Sequence, residues 1–279
     1  MRDFKDKVAA ITGAGSGMGR TLALDLARQG CHLALSDINP EGLTETVRLA
    51  SAHGVKVTST ELNVADREAV YQWADDVMAA HGRVNMIFNN AGVAHSGTIA
   101  EMSYDDMEWI ININLWGVIY GTKAFLPHLE ASGEGHVINL SSLFGLCAQP
   151  TMGSYNVTKF AVRGFTEALR QELDLAGSSV SATCVHPGGI KTNIARSGRV
   201  DASVEQVTGK TAEEGVKEFE KFFITSPEKA ASIILQAVRK NRRRVVVGPD
   251  AKLLDLIVRI FPAAYQRLIV AGFRRKMAK

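Results

Sequence analysis

The amino-acid sequence predicts an α/β protein built on a doubly wound parallel sheet of about seven strands, with helices on both faces. Three observations support this prediction. Short apolar runs typical of buried parallel strands alternate with helical segments from residue 8 to residue 247. A glycine-rich turn joins the first strand to the first helix, and no linker, repeat or low-complexity tract divides the 279 residues. We therefore predict a single domain, residues 1–279.

The strand and helix patterns follow each other along the chain with short connections. Strands are predicted at 8–11, 33–35, 55–58, 84–88, 136–140, 180–185 and 244–247. Helices are predicted at 22–30, after Asn39 and Pro40, and at 66–81, 104–129, 154–175 and 226–240. Asn39 is a typical N-cap residue, and Pro40 is favoured in the first helical turn.

Composition and charge indicate which classes of function to set aside. The net charge of +3 is too balanced to indicate nucleic-acid binding, and hydrophobic residues make up an ordinary 46% of the chain. The basic clusters at 242–244 and 274–276 are typical of solvated surface, and a phosphate or membrane role is the less favoured interpretation. No signal-peptide pattern and no long uncharged apolar run is present, which predicts a cytoplasmic protein without a membrane span.

The chain has three cysteines, Cys31, Cys147 and Cys184, which lie far apart in the sequence. Their number is odd and no metal-ligand spacing joins them, so we predict no metal site. Small core residues in a reducing compartment are the favoured interpretation.

The glycine-rich turn indicates a site for a dinucleotide. Gly13, Gly15, Gly17 and Gly19 lie between the first predicted strand and the first predicted helix. Glycines let the backbone approach a pyrophosphate, and the helix N-terminus supplies amide donors. Tight turns use glycine for other reasons too, and the placement between strand and helix favours the dinucleotide.

Asp37 ends the second predicted strand, where a carboxylate can accept hydrogen bonds from the ribose hydroxyls of an adenosine. It would repel the 2′-phosphate of NADP, and no basic residue stands at Ser16 or Ile38 to offset the repulsion. We therefore expect NAD to be preferred, with NADP not excluded. A helix-capping role is the ordinary alternative for this aspartate.

Tyr155 and Lys159 lie four residues apart in a predicted helix, so their side chains project from the same face. An ammonium beside a phenol stabilises the phenolate, which predicts a pKa for Tyr155 below 10 and nearer neutrality. Such a tyrosine can exchange a proton with a substrate oxygen near pH 7. A chance spacing is the favoured interpretation for the pair taken alone, and the other motifs reverse that preference.

Six motifs together resemble the short-chain dehydrogenase/reductase superfamily, in its common single-domain branch. They occur in the family's order over about residues 7 to 248: Thr12-Gly13 with Gly17 and Gly19, Asn89-Asn90-Ala91-Gly92, Asn114, Ser142, Tyr155 with Lys159, and Pro187-Gly188 with Thr192. The resemblance implies a Rossmann-like fold and a catalytic set of Asn114, Ser142, Tyr155 and Lys159. Tyr155 is then the general acid and base, Ser142 polarises the substrate oxygen, Lys159 tunes Tyr155, and Asn114 positions a relay water.

The resemblance also implies the residues that contact the cofactor. They are Gly13, Ser16, Gly17, Met18, Gly19, Asp37, Ile38, Asn63, Val64, Asn90, Ala91, Gly92, Tyr155, Lys159, Pro187, Gly188, Ile190 and Thr192. Asn63 stands where many relatives carry an aspartate that contacts adenine, and its amide can form a similar hydrogen bond. His186, which precedes Pro187, is interpreted as a packed or surface histidine.

The substrate side is expected to be apolar. Ser142, Phe144, Met152 and Tyr155 are the predicted contacts, and the other candidate wall residues are Val93, His95, Leu143, Gly189 and Ile194. This composition suits a hydrophobic ketone or secondary alcohol. Residues 192–225 resemble the family's mobile lid, with a helix at about 213–223 whose Phe219, Phe222 and Phe223 face inward. An ordinary surface helix is an equal alternative.

The remaining predictions concern assembly and function. The basic, amphipathic extension 250–279 is expected to pack on its own domain or a neighbouring subunit rather than on a membrane. Homodimers or homotetramers through helices 104–129 and 154–175 are a family expectation. The predicted function is an NAD(P)-dependent short-chain alcohol dehydrogenase or ketone reductase. The alternatives are a 3-oxoacyl thioester reductase of fatty-acid type and a non-catalytic NAD(P)-binding redox sensor.

Overall fold

The computed structural model describes residues 1–277, so residues 278 and 279 of the predicted C-terminal extension lie outside the described residues. Its strands are β1 (Val8–Thr12), β2 (His32–Asp37), β3 (Val57–Glu61), β4 (Met86–Asn89), β5 (His95–Ser96), β6 (Gly135–Leu140), β7 (Val180–Pro187), β8 (Arg199–Val200) and β9 (Arg244–Val247). Seven of them form one sheet in the order β3-β2-β1-β4-β6-β7-β9, and every neighbouring pair is parallel. The predicted sheet is confirmed.

The helices are α1 (Gly17–Arg28), α2 (Pro40–Ser51), α3 (Arg67–His81), α4 (Tyr104–Ile111), α5 (Gly117–Ala131), α6 (Gly153–Leu175), α7 (Ser203–Thr208), α8 (Ala212–Glu220), α9 (Pro227–Arg239), α10 (Pro249–Ile260) and α11 (Tyr265–Met277). The start of α2 follows the predicted chemistry, since the Asn39 side chain accepts a hydrogen bond from the Gly42 amide at 3.0 Å. In the described part of the chain, every helix is too short or too polar to cross a membrane.

Alternating side chains of β1 explain why helices cover both faces of the sheet. Ala9 and Ile11 pack into a core with Leu22 and Leu26 of α1 and with residues of α9. Val8 and Ala10 point to the opposite face, where the core contains Trp73 of α3, Phe125 of α5 and Leu169 of α6. Because successive strand residues face opposite sides, an entirely apolar strand requires two helical layers.

Three details differ from the sequence prediction. Strand β3 begins at Val57 rather than at residue 55, because this half-exposed edge strand has only a weak apolar pattern. The single helix predicted at 104–129 consists of α4 and α5 joined by a π-helical segment, Asn112–Trp116. Strands β5 and β8 pair in parallel outside the main sheet, and strands of two residues are too short to show a periodicity.

The three cysteines are buried free thiols, as predicted. Burial raises the pKa of Cys31 and of Cys184 to about 12 and the pKa of Cys147 to about 11. Because a nucleophile or metal ligand needs a thiolate, these raised pKa values indicate core residues rather than reactive groups.

The order of the sheet creates a crevice at its carboxyl edge. β1 lies between β2 and β4, so the connections that leave β1 and β4 run in opposite directions across the sheet. Ligands bind at such a switch point in open parallel sheets. The segments after β1, β4, β6 and β7 all reach this edge, and these segments contain most of the predicted site residues.

Candidate active site

The turn after β1 can exist only with glycine at two of its positions. Gly13 has φ of 65°, and a Cβ atom on it would lie 2.8 Å from the Ala91 Cα. A Cβ atom on Gly19 would lie 2.0 Å from the Gly13 carbonyl oxygen. The turn leads into α1, where Ser16 makes no side-chain capping hydrogen bond and Met18 lies in the first turn. The helix N-terminus therefore keeps backbone amides available for an anionic group.

The segment after β4 is fastened to the segment after β1. The Asn90 side-chain amide donates hydrogen bonds to the carbonyl oxygens of Thr12 at 2.9 Å and Gly13 at 3.1 Å. The Thr12 hydroxyl in turn accepts from the Asn90 and Ala91 amides at 3.0 Å each. Asn90 thus holds the glycine turn in place, which is a structural role besides its predicted contact with a cofactor.

Asp37 is positioned by backbone amides at the end of β2. One carboxylate oxygen accepts from the Gly15 amide at 2.7 Å, and the other accepts from the Asn39 amide at 2.8 Å. The nearby Arg20 donates to Thr46 and to the carbonyl oxygens of Gly15 and Gly42, so its guanidinium is committed within the turn. The carboxylate is therefore held in a fixed position with lone pairs remaining for further donors.

The other predicted adenosine contacts lie on the same side of the sheet. Ile38 is largely exposed directly after Asp37. Asn63 follows β3 and is exposed, and its side-chain oxygen accepts from the Ala65 amide at 3.0 Å. Val64 is buried against Gly117. Ile38 and Asn63 are thus accessible to a ligand, whereas the Val64 side chain belongs to the core.

Asn114 lies in the π-helical segment between α4 and α5. It is fully buried, its amide nitrogen donates to the Val93 carbonyl at 2.9 Å, and its oxygen accepts from the Val93 amide at 2.8 Å. A Cβ atom on Gly92 would lie 3.1 Å from the Asn114 oxygen and 3.4 Å from the Lys159 Nζ. The wide turn of a π-helix changes the direction of its side chains, and here it brings Asn114 next to Gly92 and Lys159.

Ser142, Tyr155 and Lys159 come together as predicted, and all three are buried. The Ser142 side chain lies close enough to the Tyr155 phenol to lower its pKa, and the Ser142 hydroxyl accepts from the Phe144 amide at 3.1 Å. The Lys159 Nζ lies 5.5 Å from the centre of the Tyr155 ring and donates to the Leu140 carbonyl at 3.1 Å. One face of α6 and the end of β6 therefore build a site that combines two hydroxyl groups and an amine.

The sequence analysis predicted a lowered pKa for Tyr155, and this direction is wrong when only the groups of the protein act on the phenol. Burial raises the pKa of Tyr155, and the hydrogen bond from Ser142 opposes that effect only in part. Burial also lowers the pKa of Lys159 to about 8, because the ammonium is desolvated as well. The sequence argument considered only the attraction between the two groups, whereas the cost of burying a charge is the larger effect here.

His186 is a part of the site that the sequence interpretation left aside. It is fully buried, and its Nδ1 donates to the Ser142 carbonyl oxygen at 3.0 Å. Burial lowers the pKa of His186 to about 4, so the ring is neutral and its proton stays on Nδ1. The histidine is packed, as the sequence analysis favoured, and it also fixes the backbone of Ser142.

Aromatic side chains cover Tyr155 on the substrate side. The Phe144 ring meets the Tyr155 ring edge-on at 6.3 Å and stacks on Phe219 at 6.3 Å. Phe219 contacts Phe223 edge-on at 5.2 Å. The apolar cluster around Tyr155 contains Ile110, Met152, Val93, Trp109, Phe144 and Phe219. Phe144 and Met152 thus lie beside Tyr155, and α8 contributes Phe219 to the same cluster.

Two of the predicted wall residues, Leu143 and His95, and the predicted lid residue Phe222 are placed differently. Phe222 follows the end of α8 and is 54% exposed, and its carbonyl group lies close to Gly189. Leu143 packs with Ala251 and Tyr265 of the C-terminal helices. His95 is buried beneath α6, where its Nδ1 is hydrogen-bonded to the Ser154 hydroxyl at 2.9 Å. The orientation of each of these three side chains depends on tertiary packing, which the spacing of residues in the sequence does not reveal.

The segment after β7 closes the crevice on the other side. A Cβ atom on Gly17 would lie 3.1 Å from the Thr192 methyl group, so Thr192 contacts the glycine turn. Ile190 is buried and bridges to Thr225. Gly188 donates to the Val247 carbonyl at 2.8 Å. The predicted segment Pro187–Thr192 is therefore ordered opposite the turn after β1.

Asp250, at the start of α10, was missed by sequence reasoning. One of its carboxylate oxygens accepts from the Gly189 amide at 2.7 Å, and the other is buried without a hydrogen-bond partner among the described residues. Asp250 thus connects the C-terminal extension to the segment of Pro187 and Gly188. A lone aspartate beside Pro249 carries no sequence signal for such a contact.

These groups fit a nicotinamide dinucleotide. A glycine cradle that no side chain can enter leads to free helix amides, and a fixed carboxylate lies at the end of β2. The buried Tyr155–Lys159 pair lies at the same edge of the sheet. In the described part of the chain, no three His, Cys, Asp or Glu side chains are grouped as a metal site would require.

Comparisons with known proteins agree with this geometry. A model of the short chain dehydrogenase family matches residues 7–202. The putative oxidoreductase SadH of Mycobacterium tuberculosis is 51% identical over 277 residues, which are 98% of this chain and 97% of that protein. The C alpha-dehydrogenase of a Sphingobium species is 34% identical, over 90% of this chain and 84% of that protein.

Solved structures show the same architecture. A short chain dehydrogenase/reductase of Burkholderia phymatum in complex with NAD superposes with a TM-score of 0.84 at 28% identity, over 97% of each chain. An alcohol dehydrogenase of Thermococcus sibiricus complexed with 5-hydroxy-NADP gives a TM-score of 0.72 at 27% identity, over 86% of this chain and 95% of that chain. The protein therefore belongs to the short-chain dehydrogenase family and is an oxidoreductase of that family.

Proposed function

We propose that the protein transfers a hydride between a nicotinamide cofactor, preferentially NAD, and a hydrophobic secondary alcohol or ketone. The observation that carries this proposal is the position of Tyr155. Its hydroxyl group meets Ser142, its ring lies near Lys159, and its other side faces the apolar cluster with Phe144 and Met152. A proton donor in an apolar site suits the reduction of a carbonyl group.

Tyr155 and Ser142 divide the work at the substrate oxygen. In ketone reduction the Tyr155 hydroxyl gives its proton to the oxygen, and in alcohol oxidation the phenolate takes the proton back. Ser142 donates a hydrogen bond to the same oxygen and stabilises its developing negative charge. The cofactor supplies or accepts the hydride when it is bound. His186 keeps Ser142 in position through the Ser142 carbonyl.

Lys159 and Asn114 return the proton to Tyr155. An ammonium on Lys159 stabilises the phenolate that remains after proton transfer. The Asn114 side-chain oxygen and the Lys159 Nζ both lie beside Gly92. This oxygen keeps a lone pair after it accepts from the Val93 amide, and the lone pair can hold a water molecule. This arrangement supports a proton relay from solvent through Asn114 and Lys159.

The preference for NAD depends on Asp37. We expect Asp37→Ser to weaken NADH binding and to lower the ratio of kcat/KM for NADH over NADPH by roughly tenfold, because a carboxylate accepts from ribose hydroxyls and repels a 2′-phosphate. Steady-state kinetics with both cofactors measure this ratio. Glu45→Gln on the exposed face of α2 is the matched control. A wild-type protein that prefers NADPH would refute the argument.

The two alternative functions have less support. A 3-oxoacyl thioester reductase of fatty-acid type normally uses NADPH, which Asp37 disfavours. A non-catalytic redox sensor would not need a buried tyrosine, lysine and serine grouped in one site. Two similar proteins, a C alpha-dehydrogenase and an alcohol dehydrogenase, belong to the proposed reaction class by name.

A screen of secondary alcohols with NAD, graded from small aliphatic to bulky aromatic, tests the proposal. We expect kcat/KM to rise with apolar size, since Phe144, Phe219 and Met152 form an apolar wall beside Tyr155. The same ketones with NADH report the reverse direction. Activity confined to carboxylated or phosphorylated substrates would contradict the proposal, because an apolar wall favours uncharged groups.

We also propose that the protein is a cytoplasmic homodimer or homotetramer. Trp116 of the π-helical segment and Val157 and Phe160 of α6 are partly exposed, and Trp116 stacks on Tyr120. These side chains lie on the helices that are expected to form dimer faces. Their apolar surface supports burial between subunits.

A further inference from the structure

The charge of this chain is concentrated in its C-terminal extension. Residues 249–279 contain seven Lys and Arg residues and two Asp residues, which give a formal charge of +5. Since the whole chain carries +3, the remaining residues carry −2. The extension is therefore a basic appendage on a slightly acidic domain, and a partner of negative charge is the electrostatic complement.

Helix α10 presents apolar side chains on two different sides. Leu254, Ile257 and Val258 pack on the domain together with the buried Ala251. Leu253, Leu256 and Ile260 are 59%, 54% and 59% exposed, and they follow one another at helical spacing. Phe261, directly after the helix, is 52% exposed. We call Leu253, Leu256, Ile260 and Phe261 the C-terminal apolar stripe.

Basic side chains accompany the C-terminal apolar stripe. Lys252 and Arg259 are exposed on α10, and only Arg259 is paired, with Asp255 at 3.2 Å. On α11, Arg267, Arg274 and Arg275 are exposed, and none of them has an ion-pair partner within residues 1–277. Several cations without carboxylate partners thus lie on the two helices that expose the apolar groups.

We propose that the C-terminal apolar stripe and the cations of α10 and α11 dock the protein on the surface of an anionic lipid bilayer. An interfacial helix buries apolar side chains in the headgroup region, while Lys and Arg attract anionic lipids. A second copy of this chain fits less well, because a symmetric contact would place the same unpaired cations opposite each other. The helices are too short and too charged to span the bilayer.

This inference reverses the preference that the sequence pattern alone favoured. Part of the extension packs on its own domain, as expected: Tyr265 is buried and its hydroxyl accepts from the Ala148 amide at 3.1 Å. These contacts use one side of each helix, whereas the C-terminal apolar stripe and the cations of α10 and α11 remain exposed. The inference does not depend on the proposed reaction.

Vesicle flotation with the full-length protein tests the docking. We expect binding to vesicles of phosphatidylglycerol and phosphatidylcholine, at least roughly tenfold weaker binding to pure phosphatidylcholine, and loss of binding in about 0.5 M salt. The double variant Leu253→Glu/Leu256→Glu should bind the anionic vesicles at least roughly tenfold more weakly. Arg274→Gln/Arg275→Gln should weaken binding and reduce its dependence on salt.

Matched controls separate docking from folding and from self-association. Leu175→Glu changes an exposed leucine at the end of α6, and Lys229→Gln/Lys240→Gln removes two exposed charges of α9; both should leave vesicle binding unchanged. Thermal unfolding and ketone turnover of the α10 variants should match the wild type. Wild-type protein that binds no vesicle would overturn the proposal. So would α10 variants that bind vesicles normally but form smaller oligomers in light scattering, since a second copy would then cover the stripe.

Discussion

At the residue scale, the central feature is a buried tyrosine whose environment opposes ionisation. Helical spacing predicted that Tyr155 and Lys159 would share a face, and the family resemblance implied that Ser142 would join them. The sequence did not predict the pKa direction of Tyr155, since desolvation depends on how completely the surrounding elements cover the phenol. A raised pKa keeps the proton on Tyr155 at neutral pH, which favours the role of proton donor.

The rate of each direction should therefore depend differently on pH. Ketone reduction needs the neutral phenol and the Lys159 ammonium, and burial lowers the pKa of Lys159 to about 8. The ammonium is present below that pKa and is lost as the pH rises through it. We expect kcat for reduction to stay constant between about pH 6 and pH 7.5 and to fall above about pH 8.

Alcohol oxidation needs the phenolate, whose population grows with pH. We expect kcat/KM for oxidation to rise about tenfold per pH unit from about pH 6 towards the apparent pKa. Stopped-flow measurements in constant-ionic-strength buffers check both profiles. An oxidation rate that is flat between pH 6 and pH 8 would contradict the assignment of the raised pKa to Tyr155.

His186 and Asp250 illustrate which site residues a single sequence does not disclose. Each acts through one hydrogen bond to a backbone group, His186 to the Ser142 carbonyl and Asp250 to the Gly189 amide. The contact between Asp250 and Gly189 joins positions 61 residues apart in the chain. No local pattern encodes such a contact, because it depends on how α10 is placed against β7 and β9.

At the element scale, the π-helical segment and the C-terminal helices decide the shape of the site. The sequence predicted a helix across residues 112–116, and the structure has one, but with a wider turn that directs Asn114 towards Lys159. A single extra residue in a helical turn leaves the apolar spacing nearly unchanged. The presence of a helix was therefore predictable here, whereas its π-helical turn and the direction of Asn114 were not.

Tyr265 connects the C-terminal helices to the segment that precedes α6, next to the proposed substrate wall. We expect Tyr265→Phe to leave the Ala148 amide without its partner, to cost about 1 kcal/mol of stability and to raise KM for bulky ketones by a few fold. KM for NADH should stay unchanged, because the contact lies on the substrate side. Steady-state kinetics and thermal unfolding measure these effects.

Tyr71→Phe on α3 is the matched control for this prediction, since it removes a hydroxyl from a partly exposed tyrosine far along the chain. Equal effects of the two substitutions on KM for the ketone would show that the C-terminal helices do not support the wall. An increase of KM for NADH alone would contradict the placement of Tyr265.

At the scale of the whole molecule, the sheet order brings four separate strand ends to one crevice. The number of strands and their parallel arrangement were predictable, because buried parallel strands leave apolar runs in the sequence. The wall residues were predictable only in part, since Phe144 and Met152 pack beside Tyr155 while Leu143 and His95 do not. Of the predicted lid residues, Phe219 packs in the same cluster, whereas Phe222 is 54% exposed. Orientation at the crevice depends on the packing of distant segments.

Assembly gives a prediction at this scale. We expect Phe160→Glu on α6 to shift the protein from an oligomer towards the monomer, because a charge at a subunit face costs several-fold to a hundredfold in association, about 1–3 kcal/mol. Size-exclusion chromatography with light scattering measures the change. Leu175→Glu, at the exposed end of the same helix, should leave the assembly intact. A wild-type monomer at micromolar concentration would contradict the proposed dimer face.

The proton-transfer role of Tyr155 is tested most directly by Tyr155→Phe, with ketone turnover and NADH binding measured on the same preparation. The account predicts that turnover falls at least about 100-fold, while the Kd for NADH, followed by fluorescence, changes less than about threefold. Tyr104→Phe, at an exposed tyrosine that starts α4, should change neither quantity. A Tyr155→Phe variant that keeps turnover within about threefold of the wild type would contradict the account.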